Sequence, residues 1–346
     1  MSGTSLDGLD IAYCEFILNN GQWSFDIVVA ETIVYSNKWF NKLGGAAILQ
    51  ESELKVLHEK YGEYIGTEIR EFVQKNKLSP ELICSHGHTI FHDPKNGITY
   101  QLGSGEVISK KTGIKVVSNF RALDVSLGGQ GAPLVPVGDK LLFPEYEYCL
   151  NLGGFGNISF EEYGERKSFD ICPVNMALNE VARELDMEYD ESGEIASRGN
   201  LDAALLEKLN ILSYYEDSYP KSLSREWYEE SFKPILEQSN ATPQDKLSTL
   251  CEHVAIQIKI SLEGSSVSDK LLITGGGTHN KYLVDQIKSK LNLKVDIPSA
   301  EIIDYKEALI FGFLGILRFR NEINCLKSVT GAERNSSVGE IHEFSG

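Results

Sequence analysis

The sequence has no excess of positive charge. Its 346 residues include 33 lysines and arginines against 50 aspartates and glutamates, a formal net charge of −17. A nucleic-acid backbone or an anionic membrane recruits a basic patch, so neither is an expected partner. The six cysteines, at 14, 84, 149, 172, 251 and 325, form no CxxC pair. Scattered in this way they read as reduced, mostly buried cytosolic thiols, not as a disulfide frame or a zinc site. No apolar run is long enough to span a bilayer and no signal peptide opens the chain, so the expected location is the cytoplasm. There is no GxxxxGK[ST] phosphate loop, and no GxGxxG in a strand-to-helix context. In so acidic a chain an anionic ligand must be held by local positive potential: backbone N–H groups, a helix N-terminus or a metal ion.

What the chain does have is glycine in four turns: MSGTSLDGLD (1–10), SLGGQGAPLVP (126–136), NLGGFGN (151–157) and TGGGTHN (274–280). The second is the most informative. Its glycines permit positive φ and close backbone approach, and its prolines fix φ. Such a loop is built for one shape, against a ligand or against other backbone at a domain crossing.

An apolar content of 42% with 24% charged residues is ordinary for a globular protein, and the length suits two domains. β-branched composition predicts strands at 9–17, 24–35, 82–85, 114–120 and 270–274. Residues 148–161 read as strand, glycine turn, strand. Helical periodicity predicts helices at 51–76, 105–111, 201–209, 249–263, 282–291 and 305–320. A further helix is expected at 173–185, with Pro173 in its first turn. Residues 186–199 read as a loop and 327–346 as an irregular tail. A strand–glycine turn–strand unit at the start and again near Asn151 is what a duplicated α/β unit would show.

Several residues could carry chemistry. Gly3, Thr4 and Ser5 at a hairpin tip offer N–H groups and hydroxyls to phosphate, and Asp7 could hold hydrated magnesium; an Asx turn explains Asp7 equally well. Gly153 and Gly154 repeat the offer, and Gly275, Gly276 and Gly277 lie between a buried strand and a helix. Asp170 is either a helix N-cap or a general base fixed at a strand end. Glu307 is either a favourable first-turn acid or an acceptor for a substrate hydroxyl. The spacing of His86, His88 and His92 favours substrate contacts or loop packing over a metal.

Taken together, MSGTSLDGLD, SHGHTIFHDP (85–94), the block 100–136 ending GGQGAPLVP, LNLGGFGNIS (150–159), FDICPVN (169–175), ITGGGTHN (273–280), KEALIFGFL (306–314) and SVTGA (328–332) resemble the anhydro-N-acetylmuramic acid kinases. These are sugar kinases of the actin, hexokinase and Hsp70 superfamily, and the resemblance covers nearly the whole chain. It implies two ribonuclease-H-like α/β domains around an interdomain cleft. We expect them at 1–130 and 131–346, with room for a C-terminal helix that returns to the first. The implied reaction is ATP-dependent: water opens the bridge of 1,6-anhydro-N-acetylmuramic acid and O6 takes the γ-phosphoryl group, giving N-acetylmuramic acid 6-phosphate in cell-wall recycling. By position Asp170 matches the catalytic base. Gly3, Thr4, Ser5, Leu6, Asp7 and Gly8 match the phosphate loop, with Asp7 on magnesium through water. Gly153, Gly154 and Gly275–277 complete the nucleotide site, and Arg121, Glu307 and His86 contact the sugar. A homodimer is implied by the resemblance alone.

The chain departs from the family pattern. DTGPGN is replaced by Asp170-Ile171-Cys172-Pro173-Val174-Asn175, RRRD by Arg121-Ala122-Leu123-Asp124, and His88 stands where glutamine is usual. A superfamily sugar kinase with another substrate, or an ATP-binding homologue with impaired turnover, are the alternative readings. The resemblance also implies a short apolar strand ahead of the equivalent of Met1. A form extended upstream is therefore expected to be more stable and to bind ATP more tightly.

Overall fold

A computed structural model describes residues 1–3 and 6–344. The chain divides into two compact units, Met1–Phe143 with Tyr305–Gly346, and Pro144–Asp304. The expected boundary at 130/131 therefore falls inside the first unit. The reason is packing: the Phe143 and Phe25 rings meet at 5.2 Å, and Asp139 pairs with Lys306 at 2.7 Å.

The first unit opens with strands β1 (Gly8–Asn19) and β2 (Gln22–Val34), an antiparallel hairpin in register from Gly8↔Val34 to Asn19↔Gln22. Asn20 and Gly21 both take positive φ, as a two-residue turn matched to strand twist requires. Helix α1 (Asn37–Gly44) leads to α2 (Glu51–Asn76), where Gln50 and Glu53 form a capping box. α2 buries Leu54, Leu57, Tyr61, Ile65 and Phe72, one helical face. Strands β3 (Leu82–Cys84), β4 (His88–Asp93) and β5 (Ile98–Leu102) follow, then α3 (Gly105–Thr112), β6 (Lys115–Ser118), α4 (Ala122–Ser126) and α5 (Val135–Leu142). β3 and β6 are parallel, and β4 and β5 are an antiparallel pair.

The second unit has β7 (Tyr148–Leu152), β8 (Phe155–Glu162), β9 (Glu165–Pro173), α6 (Asn175–Arg183), α7 (Ala203–Asn210), α8 (Pro243–Ser261), β10 (Lys270–Thr274), α9 (Lys281–Lys290) and β11 (Lys294–Asp296). Its sheet runs β11-β10-β7-β8-β9. β7, β8 and β9 form an antiparallel meander, and β10 and β11 add in parallel beside β7. Leu247, Leu250, Val254 and Ile258 of α8 share one buried cluster with Leu150, Ile158, Leu271 and Ile273 of the sheet.

Helix α10 (Ala300–Phe319) leads back to the first unit, followed by α11 (Lys327–Thr330) and β12 (Glu340–His342). β12 pairs antiparallel with β6, so 327–344 is not the irregular tail expected. Two other expectations shift. Pro173 ends β9 instead of starting a helix, and α6 begins at Asn175 behind Val174. α8 starts at Pro243, capped by Thr242, six residues before the expected position. No helix among the described residues is long and apolar enough to cross a membrane.

Candidate active site

In the first unit the opening turn is anchored at Ser2, which bridges Leu9 of β1 antiparallel and His88 of β4 in parallel. Its buried hydroxyl lies 2.9 Å from His88 Nδ1 and accepts from Tyr35 at 2.7 Å; Tyr35 in turn meets the Tyr61 hydroxyl at 2.5 Å. Beyond this relay, Leu6 takes a left-handed φ of 61° and donates to the Gly3 carbonyl. Gly3 and Asp7 are exposed. Gly8 differs from them: a Cβ there would sit 2.6 Å from the Ile33 carbonyl oxygen, so this glycine serves the β1–β2 pairing. Thr4 and Ser5, both expected in the phosphate loop, lie outside the described residues.

Arg121, at the N-terminus of α4, donates through Nε to His86 Nε2 at 3.0 Å and through Nη1 to the Gly131 carbonyl at 2.6 Å. With Nε2 accepting, the His86 proton sits on Nδ1, which faces the Gly87 carbonyl at 3.0 Å. Burial and then the Arg121 charge hold this imidazole well below its ordinary range, so it is neutral. Burial lowers Arg121 to about 10, which leaves it cationic at neutral pH; the Glu307 charge opposes that shift. Glu307 lies eight residues into α10, so it is not a first-turn acid. It is open to solvent, yet the protein crowding around it raises its carboxyl while Arg121 pulls it down. His86, His88 and His92 go to three separate partners, Arg121, Ser2 and Thr99.

The loop at 128–131 is tied by a carboxylate that sequence reasoning missed. Asp124 is fully buried and accepts from the Gly131 N–H at 2.8 Å, Thr330 Oγ1 at 2.8 Å and Cys325 Sγ at 3.0 Å. The Gln130 N–H donates to the Thr330 carbonyl. The SVTGA motif thus wraps the GGQGAP motif, and neither side carries a local signal of it.

In the second unit Asp170 lies within β9 opposite Asn157, not ahead of a helix, so it is not an N-cap. Its Oδ2 accepts the Leu223 N–H at 2.9 Å, its own N–H donates to the Lys221 carbonyl, and its carbonyl accepts the Tyr214 hydroxyl at 2.5 Å. Burial raises the carboxyl to about 6, with the Leu223 N–H pulling the other way. The segment 214–223 that grips it was not legible in the sequence. The replaced positions Cys172 and Val174 are fully buried in the core, where Val174 packs on Gly156.

The two glycine turns of this unit do different jobs. The Gly153 and Gly154 carbonyls cap α6, accepting from Asn175, Val174 and Met176 N–H groups. A Cβ on Gly154 would meet only the Met176 methyl, at 3.9 Å. Gly275, at φ 87°, leaves no such room: a Cβ would fall 2.4 Å from Asn151 Oδ1. Gly276 is open and heads a short 3-10 turn, Gly276–His279, so the glycines do not abut α9 directly.

The first unit thus carries an arginine beside a neutral histidine, and the second, taken by itself, glycine turns and a carboxylate tuned toward neutrality, residue types compatible with phosphoryl transfer. Residues 1–343 match the family model of Anhydro-N-acetylmuramic acid kinase, and the chain belongs to that family. It is a sugar kinase. The relative from Mannheimia succiniciproducens is 34% identical over 367 residues, spanning 99% of this chain and 97% of its own. That from Crocosphaera subtropica is 32% identical over 373 residues, with the same shares. Both are named Anhydro-N-acetylmuramic acid kinase. Among solved structures, the activator of the 2-hydroxyisocaproyl-CoA dehydratase from Clostridium difficile with bound ADPNP aligns over 89% of each chain at 16% identity. Its TM-score of 0.42 is too low to place the fold.

Proposed function

We propose that the protein uses ATP to open 1,6-anhydro-N-acetylmuramic acid with water and to phosphorylate the freed O6. Asp170 Oδ1, engaged by no donor among the described residues, takes a proton from water. The water oxygen bonds to the anomeric carbon, and the C1–O6 bond breaks with its electrons on O6. O6 then bonds to the γ-phosphorus as the bond to the ADP oxygen breaks. The product is N-acetylmuramic acid 6-phosphate, which belongs to peptidoglycan recycling. Arg121, His86 and Glu307 orient the sugar. The exposed glycines at 3, 154 and 276, with the half-buried Gly153, present backbone N–H groups to the nucleotide, where phosphoryl transfer needs positioning and charge stabilisation. Thr4, Ser5 and Leu6 belong to the same loop by sequence. Asp7 is exposed and in no ion pair among the described residues, which fits a magnesium ion held through water. The ion would neutralise phosphate charge in a chain of net charge −17.

The sheet order of the second unit, a three-stranded meander with two parallel strands added beside its first strand, supports a ribonuclease-H-like assignment for that unit. The proposal extends it to the first unit and to a cytoplasmic homodimer.

The observation that carries the reading is Asp170: its backbone is fixed in a strand, and its carboxyl, holding one hydrogen bond and raised to about 6, is a base poised near working pH. The test is ADP release with the anhydro sugar in ¹⁸O-labelled water. Label at the anomeric oxygen of a 6-phosphate product supports the mechanism. ADP release with a free hexosamine and none with the anhydro sugar would replace it with an ordinary sugar kinase.

A further inference from the structure

β9 is an edge strand: the sheet of the second unit runs β11-β10-β7-β8-β9, and no further strand follows among the described residues. The pairing with β8 slips beside Asp170. Asn157 pairs with Asp170 and Gly156 with Cys172, which leaves Ile171 as an extra residue. Such a bulge bends its strand and re-aims the side chains next to it. An open edge here would leave the Asp170 backbone to water. Instead one segment, 214–223, supplies three hydrogen bonds to this residue. The Lys221 carbonyl accepts its N–H, the Tyr214 hydroxyl donates to its carbonyl, and the Leu223 N–H donates to Oδ2 at 2.9 Å.

The segment is closed on itself and anchored in the core. Lys221 Nζ donates to the Tyr214 carbonyl at 3.0 Å and lies over the Tyr214 ring, which joins the two ends. The Tyr219 ring runs parallel to that of Phe169, the residue before Asp170, with centroids 5.3 Å apart. The deepest anchor is Tyr215. His253 of α8 is fully buried, and burial lowers its imidazole to about 3, so it is neutral. Asn210 Oδ1, at the end of α7, accepts from Gln257 Nε2 at 2.9 Å and lies 2.7 Å from His253 Nδ1. The single imidazole proton therefore sits on Nδ1, and Nε2 accepts the Tyr215 hydroxyl at 2.9 Å. A leucine at 253 would bury at a lower desolvation cost. What the histidine adds is a directed bond to the segment that holds Asp170.

We propose that His253 and Tyr215 are positioning residues for the base. Acting through segment 214–223, they hold the Asp170 carboxylate in one orientation, with Oδ2 on the Leu223 N–H and Oδ1 left for water. This rests on the reading of Asp170 as the base. The two oxygens stay distinct only while the segment is docked, and a general base works from a fixed position.

The test reads the Asp170 carboxyl directly. In protein carrying ¹³C-labelled aspartate its resonance is the one absent from Asp170→Asn, and the wild-type midpoint is expected at about 6. Tyr214 and Cys172, the titratable groups beside it, are raised by burial and stay neutral through this range. Tyr215→Phe keeps the ring and removes the bond to His253. Undocking admits water to Asp170 and loses the Leu223 N–H. Burial is the larger cause of the shift, so the midpoint is expected to fall towards 3.8. With it kcat is expected to fall by about 10- to 100-fold, while the KM for ATP holds. His253→Gln, which offers an amide oxygen to the Tyr215 hydroxyl, should recover most of the rate, and His253→Leu should not. Val254→Ala, the next residue of α8, should lower the melting temperature but leave midpoint and kcat unchanged. A Tyr215→Phe midpoint and kcat equal to wild type overturn the proposal. Equal losses in Val254→Ala overturn it too, since they would follow from destabilisation alone. A midpoint that moves in Tyr215→Phe while Asp170→Asn keeps the wild-type rate supports the positioning and removes Asp170 as the base.

Discussion

The Asp124 carboxylate accepts the Gly131 N–H at 2.8 Å, and the other face of that peptide segment, the Gly131 carbonyl, accepts Arg121 Nη1 at 2.6 Å. The arginine proposed to orient the sugar is thus set by an aspartate that touches no ligand. Asp124→Ala leaves the Gly131 N–H and the Cys325 thiol buried without this acceptor, and the Thr330 hydroxyl with only its 3.4 Å bond to the Leu326 carbonyl. At about 1–3 kcal/mol for each unsatisfied group, a loss of at least about 2 kcal/mol is expected on chemical denaturation. Asp124→Asn keeps one acceptor oxygen and is expected to lose less. A melting profile of Asp124→Ala equal to wild type would remove Asp124 from this role.

Asp170→Asn is expected to lower kcat by about 10² to 10⁴ and leave ATP affinity nearly unchanged. In the wild type kcat/KM should fall with unit slope as pH drops through about 6, because the base is ionised only above that point. A variant that keeps most of the wild-type rate, or a pH profile flat down to 5, counts against the mechanism.

The same residue sets a stability trade. A carboxyl raised from 3.8 to about 6 in the fold destabilises it above pH 6 and has no such effect below 3.8. The shift corresponds to about 3 kcal/mol at most, and partial solvent access brings it to the order of 1–2 kcal/mol. Asp170→Asn should therefore melt higher than wild type at pH 8, and the advantage should vanish towards pH 4. An advantage that grows on acidification would have the wrong sign.

The glycine turns of the second unit should separate by assay. Gly154→Val has room and is expected to fold normally while raising the KM for ATP more than that for the sugar. Gly275→Ala meets Asn151 and a left-handed φ, so its expected effect is a stability loss of about 1–3 kcal/mol. Calorimetry showing unchanged ATP affinity in folded Gly154→Val would withdraw the phosphate role of that turn.

Tyr35→Phe breaks the relay at the foot of the first turn, leaving Ser2 and Tyr61 each short of a partner. A loss of about 1–2 kcal/mol is expected, together with a higher KM for ATP. His88→Gln, which restores a donor and acceptor at the family's usual residue, should be milder on both counts. Equal ATP kinetics in all three proteins would detach the relay from the nucleotide.

Much of the fold was legible where pattern is long. The boundaries of α2 followed from its apolar period and strands β1 and β2 from their β-branched composition, while the hairpin that Asn20-Gly21 makes between them was not read. Short elements held by distant partners were not legible. β12 is three residues, set by pairing with β6 more than 200 positions earlier. The start of α8 was readable, since Thr242, Pro243 and Asp245 are a cap, a first-turn proline and an acid in sequence, but the apolar period begins later. In the candidate site, Asp170 and Arg121 stood out by motif. What fixes them did not: Leu223 is 53 positions from Asp170, and Cys325 and Thr330 are 201 and 206 from Asp124.

That last separation has a consequence for the order of events during synthesis. The second unit is one uninterrupted stretch, Pro144–Asp304, and has all its strands once residue 296 has been made. The first unit needs Tyr305–Gly346 as well. Until those residues leave the ribosome, the loop at 128–131 lacks Thr330 and Cys325, β6 lacks β12, and Asp139 lacks Lys306. Domains generally fold as units while the chain is being made. Here the half made first finishes last, and the nascent chain carries an unfinished amino-terminal half through the whole translation of the other.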